Sequence, residues 1–362
     1  MNSSKSETLE AIGLVSVVMI NKIILNYPKI IMKTSGSSAW ISTIIISLIA
    51  IFFAYLISML FKRFPGSDIL DVSNYLGKRW LKIPVGIIHI LCLITVSALI
   101  VRNFSESLKI IYFNTSPIIY LILFFIISAY VANKYGIKVI SKVNLMIAPI
   151  IFVSILVIVI STSENFVIQR LLPIFGYGIN ETFFGSITNV FGFTGLAYLL
   201  YLQPLLKNEK DLKKISILSM IISGIYLLLS VISLLFVFSF ITDSNESITI
   251  YLLAKTIRYG EFIQRANALF IFIWILSMLS YISIVTFFIL YITKKLTNLS
   301  NTTSINYCYC SLIFGCALLY ENVAQYINFI EGFLKYVILV FLFIINVGIL
   351  ILANIKYSRL LI

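Results

Sequence analysis

Runs of apolar residues long enough to form a membrane-crossing helix alternate along the chain with short segments carrying charge, proline or glycine. A helix needs about 20 apolar residues to cross the hydrocarbon core of a bilayer. The pattern predicts ten transmembrane spans, at approximately 9–30, 38–61, 81–101, 117–133, 139–161, 183–206, 213–240, 262–292, 305–320 and 330–354. Each is rich in Leu, Ile, Val and Phe and is bounded by charges or turn residues. No small-residue cleavage site follows the first run, so it is expected to be a retained span and not a signal peptide. The expected fold class is all-α integral membrane, with residues 1–362 as a single polytopic domain. Ten spans leave no room for a separate soluble domain.

Composition strengthens this picture. Of the 362 residues, 60% are hydrophobic and 11% charged, against about 45–50% apolar and 25% charged in soluble proteins. The formal net charge is +13. Such an imbalance can mark a nucleic-acid partner, but a chain this apolar offers no solvated groove for a polyanion. The basic residues instead set topology. With the N-terminus inside, 17 of the 27 Lys and Arg residues fall in inner segments and nine in outer ones. Both termini are therefore expected to be cytoplasmic.

Candidate chemistry is sparse. Cys92, Cys308, Cys310 and Cys316 all lie in apolar runs and read as small packing residues. Cys308 and Cys310 face different sides of a helix and make a poor metal pair. Neither a nucleophile–base–acid set nor a metal cluster can be assembled. No enzyme activity and no cofactor are expected. Ala50, Ala54 and Ser58 on span 2, and Ser216, Ser219, Ser223, Ser230 and Ser233 on span 7, are rows of small residues suited to close helix packing.

Two spans carry interruptions in corresponding places. Span 6 holds Phe191-Gly192-Phe193-Thr194-Gly195, and glycine costs about 1 kcal/mol against alanine in a helix. Span 1 holds Asn21-Lys22, with Asn26 and Pro28 beyond. Spans 1 and 6 open two five-span halves, about 9–161 and 183–354. Interrupted segments at matching positions of two halves point to a transporter-type site, where freed backbone groups bind a ligand or a cation. A kink or a close-packing glycine is the alternative for both. Lys22 is a basic residue well inside a span and should face a polar interior. Two roles are open. Its ammonium stands where a coupling cation would sit, or it snorkels toward the outer interface. The spans hold almost no carboxylates. Glu106 and Glu321 lie at or beyond span ends, which argues against proton-coupled transport. Span 8 carries Ser277, Ser280, Ser283 and Thr286 at three-residue spacing, with Trp274 one turn before. Span 3 offers His89, for which a satisfied core histidine is the plain alternative.

Several motifs, in order, resemble one family. Pro28-Lys29 follows span 1, and Gly36-Ser37-Ser38-Ala39-Trp40 opens span 2. Arg63-Phe64-Pro65-Gly66 begins the first inner loop. Leu172-Pro173-Ile174-Phe175-Gly176-Tyr177-Gly178-Ile179 precedes span 6, with Phe191-Gly192 in its break. Gly260-Glu261-Phe262-Ile263-Gln264-Arg265 and Ala268-Leu269-Phe270 lead into span 8, followed by Trp274-Ile275. The chain resembles the B subunit of spore germinant receptors, a spore germination protein family within the amino acid–polyamine–organocation transporter superfamily. It departs from that family at Asn21-Lys22, where glycine is usual, and at Gln264-Arg265-Ala266-Asn267, where Glu-Arg and an acidic residue are usual.

The resemblance implies a five-plus-five inverted repeat (LeuT-like) with broken helices 1 and 6. It implies a site between spans 1, 3, 6 and 8 for a small nutrient, often an amino acid. The candidate ligand-binding residues are then Asn21, Lys22, Ile23, His89, Phe191, Gly192, Phe193, Thr194, Gly195, Trp274, Ser277 and Ser280. It also implies assembly with an A subunit and a lipoprotein C subunit in the spore inner membrane, where ligand binding triggers germination. Two alternatives stay open: an amino acid permease of the same fold, and a pore-forming or structural subunit.

Overall fold

The computed structural model of the chain describes residues 5–238, 249–257, 266–299, 302–319, 329, 332 and 334–359. These residues are helical almost throughout, and the one β-type pairing among them is an isolated parallel bridge between Ser6 and Leu206. In chain order the α-helices are α1 (Thr8–Ile24), α2 (Tyr27–Ser35), α3 (Ala39–Leu60), α4 (Ile69–Ile111), α5 (Ile118–Tyr135) and α6 (Ile137–Ser161). They continue as α7 (Leu196–Leu202), α8 (Leu212–Val237), α9 (Thr249–Thr256), α10 (Ala266–Thr297) and α11 (Thr302–Leu318). The last is α12 (Lys335–Arg359), whose middle, Leu339–Ile345, is wound as a π-helix.

Helix α1 is the axis of the bundle. Apart from Thr8, Glu10, Ser16, Asn21 and Lys22 its sequence is apolar all round, and nearly every residue is buried, against α6, α8 and α10. A helix without a polar face belongs inside a protein or a membrane. The outer helices behave differently. On α3, Ile46, Ala50, Ala54 and Ile57 are buried while Leu48, Phe52, Tyr55 and Met59 are exposed. Exposed ridges of this kind recur on α5 (Tyr120, Phe124, Ile127) and α6 (Met146, Ile150, Val153). A surface this apolar is stable only where the solvent is lipid. The chain is a multi-pass membrane protein.

Seven helices among the described residues are long and apolar enough to cross a membrane. An eighth is added if the bent pair Glu181–Phe193 and Leu196–Leu205 counts as one span. Ten crossing helices are thus not established, and the first and ninth predicted spans correspond to shorter helices. α1 stops after 17 residues at a break, and α11 also has 17, about 25 Å at 1.5 Å per residue. Span 3 is longer than its hydropathy suggests, because Asp68 caps α4 by accepting from the Leu70 and Asp71 amides at 2.9 and 3.1 Å. The chain then departs from helical geometry at Gly77 and Lys78 before entering the apolar run. The motif 260–265 and Glu321 lie outside the described residues.

Small residues let the helices close up. Ala50 and Ala54 are fully buried in the α3–α8 contact, and a Cβ on Gly224 would reach 3.0 Å from Ser47. The α8 serines do not bridge helices. The hydroxyls of Ser216, Ser219, Ser223, Ser230 and Ser233 each donate to a carbonyl four residues back in α8. Their value is small size with a self-satisfied polar group.

Two sequence motifs about 140 residues apart interlock. Ser37 donates to the Pro173 carbonyl at 2.5 Å, and the Ser38 and Thr182 hydroxyls meet at 2.7 Å. Gly176, at φ +53°, lies so close that a Cβ would stand 1.9 Å from the Ser35 carbonyl oxygen. At the opposite end, Ser6 exchanges backbone hydrogen bonds with Leu205 and Lys207 (2.8 and 3.0 Å). Glu7 pairs with Lys207 at 2.5 Å, and Thr8 donates to Asp211 at 2.6 Å. The start of α1 is thereby latched to the segment that follows α7.

Two outcomes follow from these contacts. Gly176→Ala combines a left-handed backbone with a backbone clash and should cost about 1–3 kcal/mol or more, whereas Gly315, with open space around it, should gain stability on change to Ala. Thermal midpoints in detergent compare the two. The Lys207 ammonium beside Glu7 holds its carboxyl below the usual carboxylate range. A lowered carboxyl pKa strengthens the latch above the ordinary value and loses it as pH falls through the lowered one. Amide exchange at residues 5–8 should therefore rise with acidification through one titration, and Glu7→Gln should remove that step.

Candidate functional site

The site is built where α1 ends and the bent pair Glu181–Phe193 and Leu196–Leu205 of span 6 breaks. The interruption in span 1 falls at Leu25–Asn26, not at Asn21-Lys22 as the sequence suggested. Helix α1 runs through Asn21, Lys22 and Ile23 because the polar side chains of Asn21 and Lys22 are satisfied elsewhere and do not compete for the helix backbone. The Asn21 amide donates to the Ser277 carbonyl and hydroxyl oxygens at 2.7 and 2.6 Å. The Lys22 ammonium donates to the Thr194 hydroxyl. Neighbouring residues on a helix point about 100° apart, so Asn21 reaches α10 while Lys22 reaches the broken helix. Ile23, a further step round, is packed in the core. Past the break, the Thr249 amide donates to the Leu25 carbonyl at 3.1 Å, and Pro28 in the first turn of α2 lacks an N–H that a helix start would leave unsatisfied anyway.

The second break is where the glycines predict it. Residues Ile187–Phe193 form a 3₁₀ helix, Thr194 and Gly195 turn, and α7 begins at Leu196, with a bend of 43°. The glycines serve close approach. A Cβ on Gly192 would stand 2.0 Å from Tyr27 Cζ, and one on Gly195 would stand 2.5 Å from Met19 Sδ. The Tyr27 hydroxyl donates to the Asn189 carbonyl at 2.5 Å. The rings of Tyr27 and Phe191 meet edge-on at 6.0 Å, and Phe193 is buried. α1, α2, the broken helix and α10 are thus joined at one place through Asn21, Lys22, Tyr27, Gly192, Thr194, Gly195 and Ser277.

Three predicted residues lie elsewhere or play another part. His89 Nδ1–H donates to the Val85 carbonyl at 2.9 Å, and the ring packs between the Tyr201 and Phe341 rings. Ser280 lines a separate crevice of about 230 Å³ with Asn144 and Ser283, between α5, α6 and α10. Trp274 is fully buried on Phe270, and its indole N–H has no acceptor among the described residues. The hydroxyl row on α10 does not share one face, since a three-residue step drifts by about 60°.

Sequence reasoning passed over Asn189, Thr34 and Lys335. The Asn189 side chain donates to the Thr34 hydroxyl at 2.9 Å and accepts from the Lys335 ammonium at 3.4 Å. That ammonium also lies 5.8 Å from the centre of the Phe191 ring, within cation–π range. Lys335 is buried although it stands near the start of an apolar run, so it read as a boundary charge. An asparagine two residues before the Phe-Gly pair was the available signal. Among the described residues no group of His, Cys, Asp and Glu side chains could hold a metal ion, and the cysteines are unpaired.

A family model described as "Spore germination protein" matches residues 6–328. The chain belongs to this family. Among curated relatives, spore germination protein KB of Bacillus subtilis is 25% identical over 65% of this chain and 64% of its own length, so the match spans slightly less than two thirds of that protein. Spore germination protein A2 of the same organism is 24% identical over 83% of both chains. Spore germination protein XB of Bacillus anthracis is 23% identical over 78% of both. Among solved structures, MhsT in complex with L-phenylalanine aligns at TM-score 0.66 with 13% identity, over 93% of this chain and 87% of that one. MHP1, a nucleobase-cation-symport-1 family transporter, aligns at 0.63 with 12% identity, over 93% and 75%. At these identities the structural matches establish a shared fold, the all-helical LeuT-like fold of membrane transporters. Family and fold neighbours are germination proteins and transporters, not enzymes.

The two glycines should respond differently to change. Gly192→Ala drives a Cβ into a ring held by packing and a hydrogen bond, and should prevent normal folding or cost several kcal/mol, as overpacking of a tight core does. Gly195→Ala meets only a flexible thioether and should be tolerated better. Met19→Ala is itself destabilising, since Met19 is buried, but in double-mutant cycles read by thermal midpoint it should couple favourably to Gly195→Ala and not to Gly192→Ala.

Proposed function

We propose that this chain is the membrane-embedded, nutrient-sensing subunit of a spore germinant receptor, and that its ligand is an amino acid held between the two breaks. The observation that carries this is the Lys22–Thr194 contact. Among the described residues, an ammonium inside the bundle meets only a neutral hydroxyl. Burying a charge without an opposite charge is costly. A ligand carboxylate arriving at the breaks would supply the missing anion. The ligand's ammonium would take the carbonyls freed where α1 ends. The ten-span, five-plus-five inverted repeat, the cytoplasmic termini, the spore inner membrane and assembly with A and lipoprotein C subunits belong to the same proposal. They rest on family membership and the Lys and Arg distribution.

Sensing requires that the nutrient bind the active conformation more tightly than the resting one. The breaks are suited to this, since the ligand would touch α1, the broken helix and α10 together and so report their relative positions. In this role Lys22 also fills the place of a coupling cation, and the response should not depend on Na⁺. A permease of the same fold is the second possibility, favoured by the neighbours MhsT and MHP1. The scarcity of carboxylates within the spans weighs against a proton-driven version of it.

Two experiments separate these roles. Spores whose only receptor contains Lys22→Gln or Thr194→Val should need at least about tenfold more nutrient for half-maximal germination, equivalent to about 1.4 kcal/mol. An unchanged dose response would remove the site from the breaks. Uptake of labelled amino acid into proteoliposomes of the isolated chain should be absent for a sensor, and sustained turnover would establish the permease instead.

A further inference from the structure

A second feature lies far from the breaks and is used by none of the functions above. Between the end of α3 and the start of α8 opens a crevice of about 640 Å³. Lys62, Lys207, Lys210 and Lys213 line it, together with Gln203, Asn208 and Glu209. The acid does not cancel the lysines, because Glu209 lies 3.9 Å from Lys5 and Lys207 is already paired with Glu7. Among the described residues Lys62 and Lys210 have no acidic partner, and the Lys213 ammonium sits 4.8 Å above the Tyr55 ring. The crevice therefore carries an unbalanced positive charge.

Its surroundings say what kind of anion it fits. On α3 the exposed residues Leu48, Phe52, Tyr55 and Met59 follow one another at helical spacing and form the apolar, lipid-facing ridge. Lys62 continues that ridge three residues beyond Met59. Ile221 and Ile225 are exposed on the neighbouring α8. An occupant with a phosphate among the lysines would thus have an apolar track directly beside it for hydrocarbon chains. Soluble phosphate would leave that track unused.

We infer that the crevice is a binding site for the phosphate headgroup of an anionic phospholipid, with the acyl chains lying along the α3 ridge. Basic pockets between membrane helices hold such headgroups. The site also touches the latch. A phosphate beside Lys207 competes with Glu7 for the same ammonium, so an occupied site loosens the tie between the start of α1 and the segment after α7.

The test uses the full chain in neutral detergent, with its thermal midpoint read on titration with phosphatidylglycerol and with phosphatidylcholine. Phosphatidylglycerol should raise the midpoint above the phosphatidylcholine value. The variant Lys62→Gln/Lys210→Gln/Lys213→Gln should lose most of that shift. A control with the same kind of charge removed outside the crevice, Lys78→Gln/Arg79→Gln, should keep it. Equal loss in both variants would mean diffuse charge attraction and would overturn the site, as would the absence of any headgroup preference. A full shift produced by inorganic phosphate would overturn the lipid assignment. If the triple variant does not fold, Lys62→Gln/Lys210→Gln replaces it, and retained phosphatidylglycerol adducts in native mass spectra of that variant would count against the site.

Discussion

The arrangement of the central helices depends on one close contact, the crossing of the α1–α2 break over the break that precedes α7. At Gly192 the backbone lies against the Tyr27 ring with no room for a Cβ. Everything polar at the centre is fixed by that approach. Tyr27 reaches the Asn189 carbonyl because the two breaks touch, and Lys22 reaches Thr194 one turn away. Asn21, on the adjacent face of α1, then ties the pair to α10 through Ser277. A polar side chain in a membrane interior is stable only when it is bonded within the protein. The contact that admits the glycine therefore also decides which polar residues the interior can hold.

The ends of the bundle are secured by different means. At one end a glycine-permissive loop around Gly176 locks onto Ser35–Ser38. At the other, a short backbone exchange and exposed ion pairs hold the start of α1 to the segment after α7. Exposed ion pairs are weak and sensitive to salt and pH, whereas a buried steric lock is neither.

Much of this architecture was legible in the sequence, and the exceptions have physical causes. The glycines of residues 191–195 marked their break correctly, because backbone weakness is a local property. The break in span 1 was misplaced by about four residues. Asn21 and Lys22 look like helix disruptors in isolation, and only their partners on α10 and the broken helix make them compatible with α1. Lys335 read as a charge bounding a span, since nothing local says that Asn189, nearly 150 residues earlier, receives it. Ser280 was grouped with Ser277 by spacing, but the drift of a three-residue step sends it to a different crevice. The break at Leu25–Asn26 also leaves α1 at 17 residues, at the short end of what crosses a bilayer.

The central claim is that Lys22 awaits the carboxylate of the ligand and takes the part of a cation. It is tested most directly by thermal stabilisation of the purified chain, using a panel of L-amino acids and the corresponding amides, with and without Na⁺. At least one free amino acid should raise the midpoint while its amide does not, and the shift should be the same in both salts. Stabilisation by the amide equal to that by the acid, a requirement for Na⁺, or no stabilisation by any member of the panel would contradict it.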